Sequence, residues 1–446
     1  MAKNKFKISK LNITIIIVST MVMFVVLNMP FKAKPFGDIT FHEEAKNMAL
    51  FIKGEVPFKS VTITKAPGPI FFYTPIYLLV PKDATDNLFW KYAVVFTFII
   101  IIICMILIFK IGSSFFNEQI GLLSVILFFL FPIHFYYSLG ILAEVPAFFS
   151  MTILLFGWTI IHKNIKSTKG WIFFILGSTF LILNRPNTIL FLPISGLVVF
   201  YSFFRNKAFY SKYGLKLLFS IFMIGIFSYS VLQVSKIITG SKSDKNQEEL
   251  FYYVAHIGRF EFREEPLDFR FWESDIRPDS KDYQNWIKST KELNSIVANT
   301  DKTYNEVYKN FLINDLIEHP LLFTRQFFVK CFYGHIYIIN SVQPEKFNLF
   351  VFKGRVGYIS FLLIVNIINI LILIGVFIFL IKEKNKLKYW LFFSIIIALL
   401  IFHGIIYMEP RYLFPSRVAL YLISAAGLYR ISFIKKIITK ISNKLL

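Results

Sequence analysis

The chain is expected to be an all-α polytopic membrane protein, and three observations predict it. Hydrophobic residues fill 56% of its 446 positions, the mean hydropathy is +0.59, and the apolar content comes largely in long uncharged runs, outside the range of soluble proteins. Lys and Arg gather in the short connections between those runs. The net charge of +22 therefore reads as membrane topology rather than nucleic-acid binding.

The elements follow in chain order. Residues 11–30 come after Lys3, Lys5, Lys7 and Lys10 and match the length of about 20 residues that spans a bilayer. No small-residue cleavage site follows, so the run is expected to be a retained signal anchor. Residues 38–53 predict an amphipathic helix lying in the interface. Phe41, Ala45, Met48, Ala49 and Ile52 recur on one face, and Glu43, Glu44, Lys46, Asn47 and Lys53 take the other. Residues 67–80 are short for a span and carry Pro67, Gly68, Pro69 and Pro75, which predicts a half-inserted hairpin or interfacial helix. Further spans are expected at 90–109, 120–135, 142–161, 171–183, 188–204, 217–239, 358–381, 391–408 and 413–428.

Basic connections at 162–169, 205–216, 382–388 and 430–446 carry the same inside label as the N-terminal lysines. Two inside markers require an even number of crossings, which makes 67–80 the run that does not cross. About ten transmembrane helices result, with both termini cytoplasmic. The expected organisation is an N-terminal membrane module, 1–239, with its first outer loop at 31–89. A larger outer loop or small domain follows at 240–357, then membrane helices and a basic tail at 358–446. No internal repeat is evident, which argues against an inverted-repeat transporter. Cys104 and Cys331 are the only cysteines, so neither a disulfide framework nor a cysteine metal site is expected. Abundant Lys, Ile, Asn and Phe point to an AT-rich genome and hence to a bacterial cell membrane.

This topology brings Asp38, Lys65, Glu144, Arg185, Glu409 and Arg411 to outer ends of apolar runs. Each has a plainer role open to it. Asp38 can cap the interfacial helix, Glu144 can favour a helix start through the dipole, and Arg185 and Arg411 can snorkel. His42 reads as a surface helix residue with a positional role. Together, two carboxylates and two guanidiniums suit a reaction with a phosphate leaving group. Arg offers paired donors to phosphate oxygens, and a carboxylate can accept the proton of an attacking hydroxyl. No P-loop, H-E-x-x-H, G-x-S-x-G or Rossmann glycine pattern occurs in a suitable context.

In order, these motifs resemble the integral-membrane glycosyltransferases of the GT-C superfamily, which holds protein O-mannosyltransferases, aminoarabinose transferases and oligosaccharyltransferases. Members carry Asp in a first outer loop, an aromatic four residues on and a small residue at seven, then Lys-Pro-Pro and an apolar aromatic segment. Asp38, His42 and Ala45 hold the first spacing, and Lys65-Ala66-Pro67-Gly68-Pro69 followed by IFFYTPIYLL holds the second. Glu144 matches the family's second outer-loop acid. Arg185-Pro186 and Arg411-Tyr412-Leu413-Phe414-Pro415 match its Arg-Pro and Arg-Tyr-x-x-Pro turns. The sequence departs from the pattern at Ile39, where the family has Glu, at His42, where it has Tyr, and at the inserted Ala66 and Gly68. The resemblance covers about 11–239 and 358–428.

The resemblance implies a sugar transfer from a polyprenyl-phosphate donor to a lipid, glycan or protein acceptor on the extracytoplasmic face. Asp38 would be the general base and Glu144 a second acid that positions the acceptor or assists the base. Lys65, Arg185 and Arg411 would cradle the phosphate, with His42, Glu43 and Tyr412 in the substrate-binding set. No metal or cofactor is expected. The residues by themselves also leave open a flippase or transporter of a lipid-linked sugar, and a polymerase or ligase of surface polysaccharide. A translocation path needs polar groups deep in several spans, whereas 96–109 and 366–381 are almost free of charge, which favours a one-sided site.

Overall fold

The computed structural model describes residues 38–63, 65–81, 84–197, 214–239, 242–264, 280–335, 348–349, 352–384, 386–407 and 410–445. The expected span 11–30, the end of the 188–204 run and Glu409 lie outside them. Apart from one two-stranded ribbon, the regular structure among these residues is helical. Among the described residues, four helices are long and apolar enough to cross a membrane, or five if a bent pair is counted as one span. Four more apolar helices are shorter.

The helices are α1 Ile39–Ile52, α2 Pro67–Tyr77, α3 Asp86–Phe115, α4 Glu118–Leu130, α5 Ile133–Ser138, α6 Glu144–Lys163 and α7 Thr168–Asn184. After them come α8 Pro186–Leu197, α9 Gly214–Thr239, α10 Lys242–Phe260, α11 Lys281–Asn299, α12 Tyr304–Glu318 and α13 Pro320–Tyr333. The last four are α14 Gly354–Lys382, α15 Trp390–Ile405, α16 Arg417–Leu428 and α17 Ser432–Leu445. The chain forms two compact units. One holds the described residues up to Gln233 with Ile367–Ser394 and Pro415 onward, and the other holds Val234–Asn366 with Ile395–Phe414.

In the first unit, α6 and α7 form the most extensive helix pair, joined by a short turn that Ser167 caps by accepting from the Gly170 amide at 3.3 Å. Gly157 and Gly177 make this possible. A side chain at either would run into the backbone of the partner helix, so the two backbones touch, the packing that small residues permit between membrane helices. The 30 residues of α3 span about 45 Å. They pack against α4, α6, α2 and α5. The expected run 120–135 is not one helix: α4 ends at Leu130, and Pro132 starts the separate short helix α5. A proline there cannot supply the amide that a continuing helix needs.

α1 forms where the periodicity predicts it, but its faces need three corrections. Phe41, Ala45, Met48 and Ala49 are buried, and so is Glu44, at 3% exposure, while Ile52 is 56% exposed. His42 is not a surface residue, being only 7% exposed. Its Nδ1 lies 2.8 Å from the Tyr77 hydroxyl, and its ring meets Tyr77 and Trp90 edge-on. α1 packs against α2, so a whole side of the helix is covered, including the polar positions at its edge. The helix ends at Gly54, whose φ of +74° is a backbone shape that only glycine adopts cheaply.

α2 begins on Pro67, where an unbonded first-turn amide costs nothing, and stops two residues after Pro75. It is an 11-residue helix, about 16 Å long and too short to cross a bilayer.

In the second unit, Thr303 and Glu306 form a capping box at the start of α12. Asp315 near its end takes hydrogen bonds from Arg259 at 2.5 Å and Arg263 at 2.8 Å. His319 stands between α12 and α13, ending one and preceding the other, with no side-chain cap. Lys330 of α13 is buried and donates to the carbonyls of Gly258 and Ile406, at 2.5 and 3.0 Å, with Glu261 at 3.5 Å. Apolar residues from α10 to α12 and α15 close around these charges. The ribbon β1 Asn348–Leu349 and β2 Phe352–Lys353 is antiparallel and leads directly into α14.

Candidate active site

Asp38 stands at the N-cap of α1 with extended backbone, and its Oδ1 accepts from the Thr40 amide at 3.1 Å. Capping and ion pairing share this one carboxylate. Its other oxygen receives the Lys65 ammonium at 2.5 Å, and that ammonium also lies 5.6 Å above the Phe41 ring. The Asp38 side chain is 26% exposed and Lys65 43%. An open pair of this kind contributes about 0–1 kcal/mol to stability. Its value therefore lies in what the groups can meet, not in holding the fold.

Glu144 is the first residue of α6 and is 2% exposed. Its Oε1 is ion-paired to Arg185, a half-buried residue in the turn between α7 and α8. Here the energetics reverse. Removing Arg185 would strand the Glu144 carboxylate away from water, at a cost of about 3–5 kcal/mol.

Backbone contacts join the two pairs into one locality. The Asp38 amide donates to the Ile141 carbonyl at 3.0 Å, three residues ahead of Glu144. The Tyr73 hydroxyl of α2 donates to the Leu142 carbonyl at 3.1 Å and accepts from the Leu142 amide at 3.3 Å. On the other side, Gly68 lies so close to Asn184 that a Cβ there would sit 2.5 Å from its amide nitrogen. Asn184 is the neighbour of Arg185, and Gly68 is three residues from Lys65. Asp38, Lys65, Glu144 and Arg185 thus belong to one corner of the first unit, an outer carboxylate and cation beside a more deeply buried second pair.

His42 lies on the inner side of α1, where burial pushes its pKa below the ordinary imidazole value, and Glu43 beside it is exposed. The imidazole bonded to Tyr77 ties α1 to α2. Lys46 of α1 is ion-paired with Asp86 at the start of α3. Arg411 and Tyr412 belong to the second unit, in a 3-10 turn at Pro410–Ser416. Arg411 lies 5.4 Å above the Tyr412 ring, which in turn stacks on His403 at 4.6 Å.

Three residues in the first unit were not anticipated from sequence. Tyr73 could have been noticed as the one hydroxyl aromatic in the first turns of α2, and Asn184 as the polar residue before Arg185. Arg417 carried no signal beyond following Arg411 by six positions. It is completely buried at the start of α16, hydrogen-bonded to Asn369 Oδ1 and 4.9 Å from the Phe131 ring centre. Buried beside it, His134 stacks on Phe128 at 3.9 Å and shares a 2.7 Å hydrogen bond with Tyr421.

No family model matches the sequence, and no curated protein matches it. Among solved structures, the chain is similar over 94% of its length to the Archaeoglobus fulgidus oligosaccharyltransferase tethered with an acceptor peptide containing the NVT sequon. Identity is 10%, the TM-score is 0.48, and 49% of that chain is covered. It is also similar to ArnT from Cupriavidus metallidurans bound to undecaprenyl phosphate, at 10% identity and a TM-score of 0.40, with 94% of this chain and 78% of that one aligned. The apo form of the same ArnT aligns at 10% identity with a TM-score of 0.39, covering 93% and 77%. The chain spans about half the length of the oligosaccharyltransferase.

Proposed function

We propose that this chain is a membrane glycosyltransferase that uses a polyprenyl-phosphate-linked sugar and transfers it, with inversion, to a hydroxyl or amine acceptor on the extracytoplasmic face. The observation that carries the reading is the convergence of Asp38, Lys65, Glu144 and Arg185 in one corner of the first unit. In the reaction, an acceptor oxygen or nitrogen attacks the anomeric carbon as the bond from that carbon to the phosphate oxygen breaks. The acceptor proton passes to the Asp38 carboxylate. The departing phosphate gains charge, and Lys65 and Arg185 are the cations next to it. Glu144 holds the Arg185 guanidinium in place through their buried pair. Arg411 and Tyr412 are assigned to donor binding from the Arg-Tyr-x-x-Pro turn alone.

The topology that accompanies this reading has ten spans, the runs 11–30, 90–109, 120–135, 142–161, 171–183, 188–204, 217–239, 358–381, 391–408 and 413–428, with 67–80 not crossing. It belongs to a bacterial cell membrane, with both termini cytoplasmic.

A second reading, translocation of a lipid-linked sugar, draws on one observation. Arg417 is fully buried and bonded to Asn369, near the middle of α14, and a charge inside a helical bundle is a recurrent mark of a substrate path. One reconstitution separates the two. Purified protein in vesicles receives a radiolabelled polyprenyl-phosphate sugar and an acceptor extract. Label moving into acceptor with release of polyprenyl phosphate supports transfer; intact donor appearing in the opposite leaflet without transfer supports translocation.

A further inference from the structure

The helix α17, SFIKKIITKISNKL, lies outside the proposed chemistry. α16 and its preceding turn meet α17 at a bend of 108°. Four lysines among the fourteen residues of α17 would make a return across the bilayer costly. α17 packs against α4, burying Ile438 and Ser442 at 4% and 3% exposure. The opposite edge is not covered. Phe433 and Ile437, one turn apart, are 70% and 41% exposed. Beside them Lys436, Lys440 and Lys444 follow one another at intervals of four, all exposed. No acidic residue occurs between Ile431 and Leu446.

We infer that α17 is an in-plane membrane anchor whose lysine row binds the headgroups of anionic phospholipids. The geometry meets both requirements of an interfacial helix. A helix turned through more than a right angle from one that enters the apolar layer runs along the surface, and its exposed aromatic and aliphatic side chains face acyl chains while the adjacent cations reach phosphates. Arg430, at the bend, is already held by Glu383 at 2.6 Å and lies 5.7 Å above the Phe379 ring. Both contacts lie where α17 leaves the bundle. The lysines of α17 have no comparable acid within their own helix, so charge complementarity selects an anionic surface over a zwitterionic one. This inference does not depend on which reaction the chain performs.

The test uses the full chain in lipid nanodiscs, with an environment-sensitive fluorophore on Phe433→Cys in a Cys331→Ser background. Quenching by headgroup-proximal doxyl phosphatidylglycerol is expected to exceed quenching by the phosphatidylcholine analogue about tenfold at low salt, and the gap should close at 0.5 M salt. K436Q/K440Q/K444Q should remove the preference while thermal unfolding stays unchanged. If that variant does not fold, the unsubstituted protein decides the matter by the ratio of the two lipids retained on purification, measured by mass spectrometry. Equal quenching, equal retention or a label that stays in water with both lipids overturns the proposal.

Discussion

The Asp38 amide donates to the Ile141 carbonyl at 3.0 Å, and this bond ties the helix start that carries Asp38 to the segment that leads into Glu144. Ile141 lies in the extended turn that enters α6, where Glu144 is the first helical residue. Tyr73 grips the next residue, Leu142, by both its amide and its carbonyl. Segments distant in sequence thus meet through backbone hydrogen bonds, which leaves the side chains of Asp38 and Glu144 available for their cations.

Asp38→Asn separates capping from chemistry. Asn accepts the Thr40 amide as well as Asp does, so the helix start should lose no more than a few tenths of a kcal/mol. Transfer should fall by about 10²–10⁴ because the amide cannot take the proton. Single-turnover transfer in reconstituted vesicles, beside thermal unfolding, measures both. Activity within tenfold of the parent would remove the base assignment.

Breaking the Glu144 and Arg185 pair should be expensive and mending it with carbon should not. Arg185→Met alone is expected to cost about 3–5 kcal/mol by leaving the buried Glu144 carboxylate unmatched, and Glu144→Leu less, because Arg185 is the more exposed partner and keeps a further contact. The double variant should recover most of that loss while transfer stays abolished. A denaturation series on the three proteins reads the coupling, and additive single effects would show that the two residues do not act as a pair.

Gly68 departs from the Lys-Pro-Pro spacing of the resembling family, and its contact with Asn184 supplies a reason. Gly68→Ala would press a methyl group into the Asn184 backbone and should cost about 1–3 kcal/mol through overpacking. The displaced segment carries Lys65, so donor KM should rise more than stability alone explains. An alanine variant with unchanged melting and KM would mean that the two backbones part without cost.

The second unit should weaken in acid through His256. Burial lowers its pKa to about 4, against an opposing pull from Asp315, and its Nε2 lies 3.0 Å from the Ser289 hydroxyl among Phe260, Tyr308 and Phe311. The unfolded state binds this proton near pH 6.5 and the folded state only near 4. Stability is therefore whole above pH 6.5 and declines as the pH falls toward 4, by on the order of 3 kcal/mol. Hydrogen exchange across residues 281–318 should quicken over that interval. His256→Asn should flatten the response, and a parallel loss in the variant would assign it to another group.

The helical class was legible because a chain facing lipid must satisfy its backbone within each segment and match its apolar length to the bilayer. Long uncharged runs and the Pro-rich start of α2 carry that information locally. Sequence also marked Asp38, Lys65, Glu144 and Arg185 as charges at the ends of such runs, since a charge beside apolar residues is conspicuous in one dimension.

Tertiary structure decided what each of them touches. Which cation pairs with which acid, that His42 and Glu44 are buried while Ile52 is exposed, and that Arg417 is enclosed against Asn369 all depend on neighbours from other helices. Periodicity states which side of a helix is apolar. The side that becomes buried is chosen by packing area, close glycine contacts and hydrogen bonds between segments, and those exist only once the chain has folded.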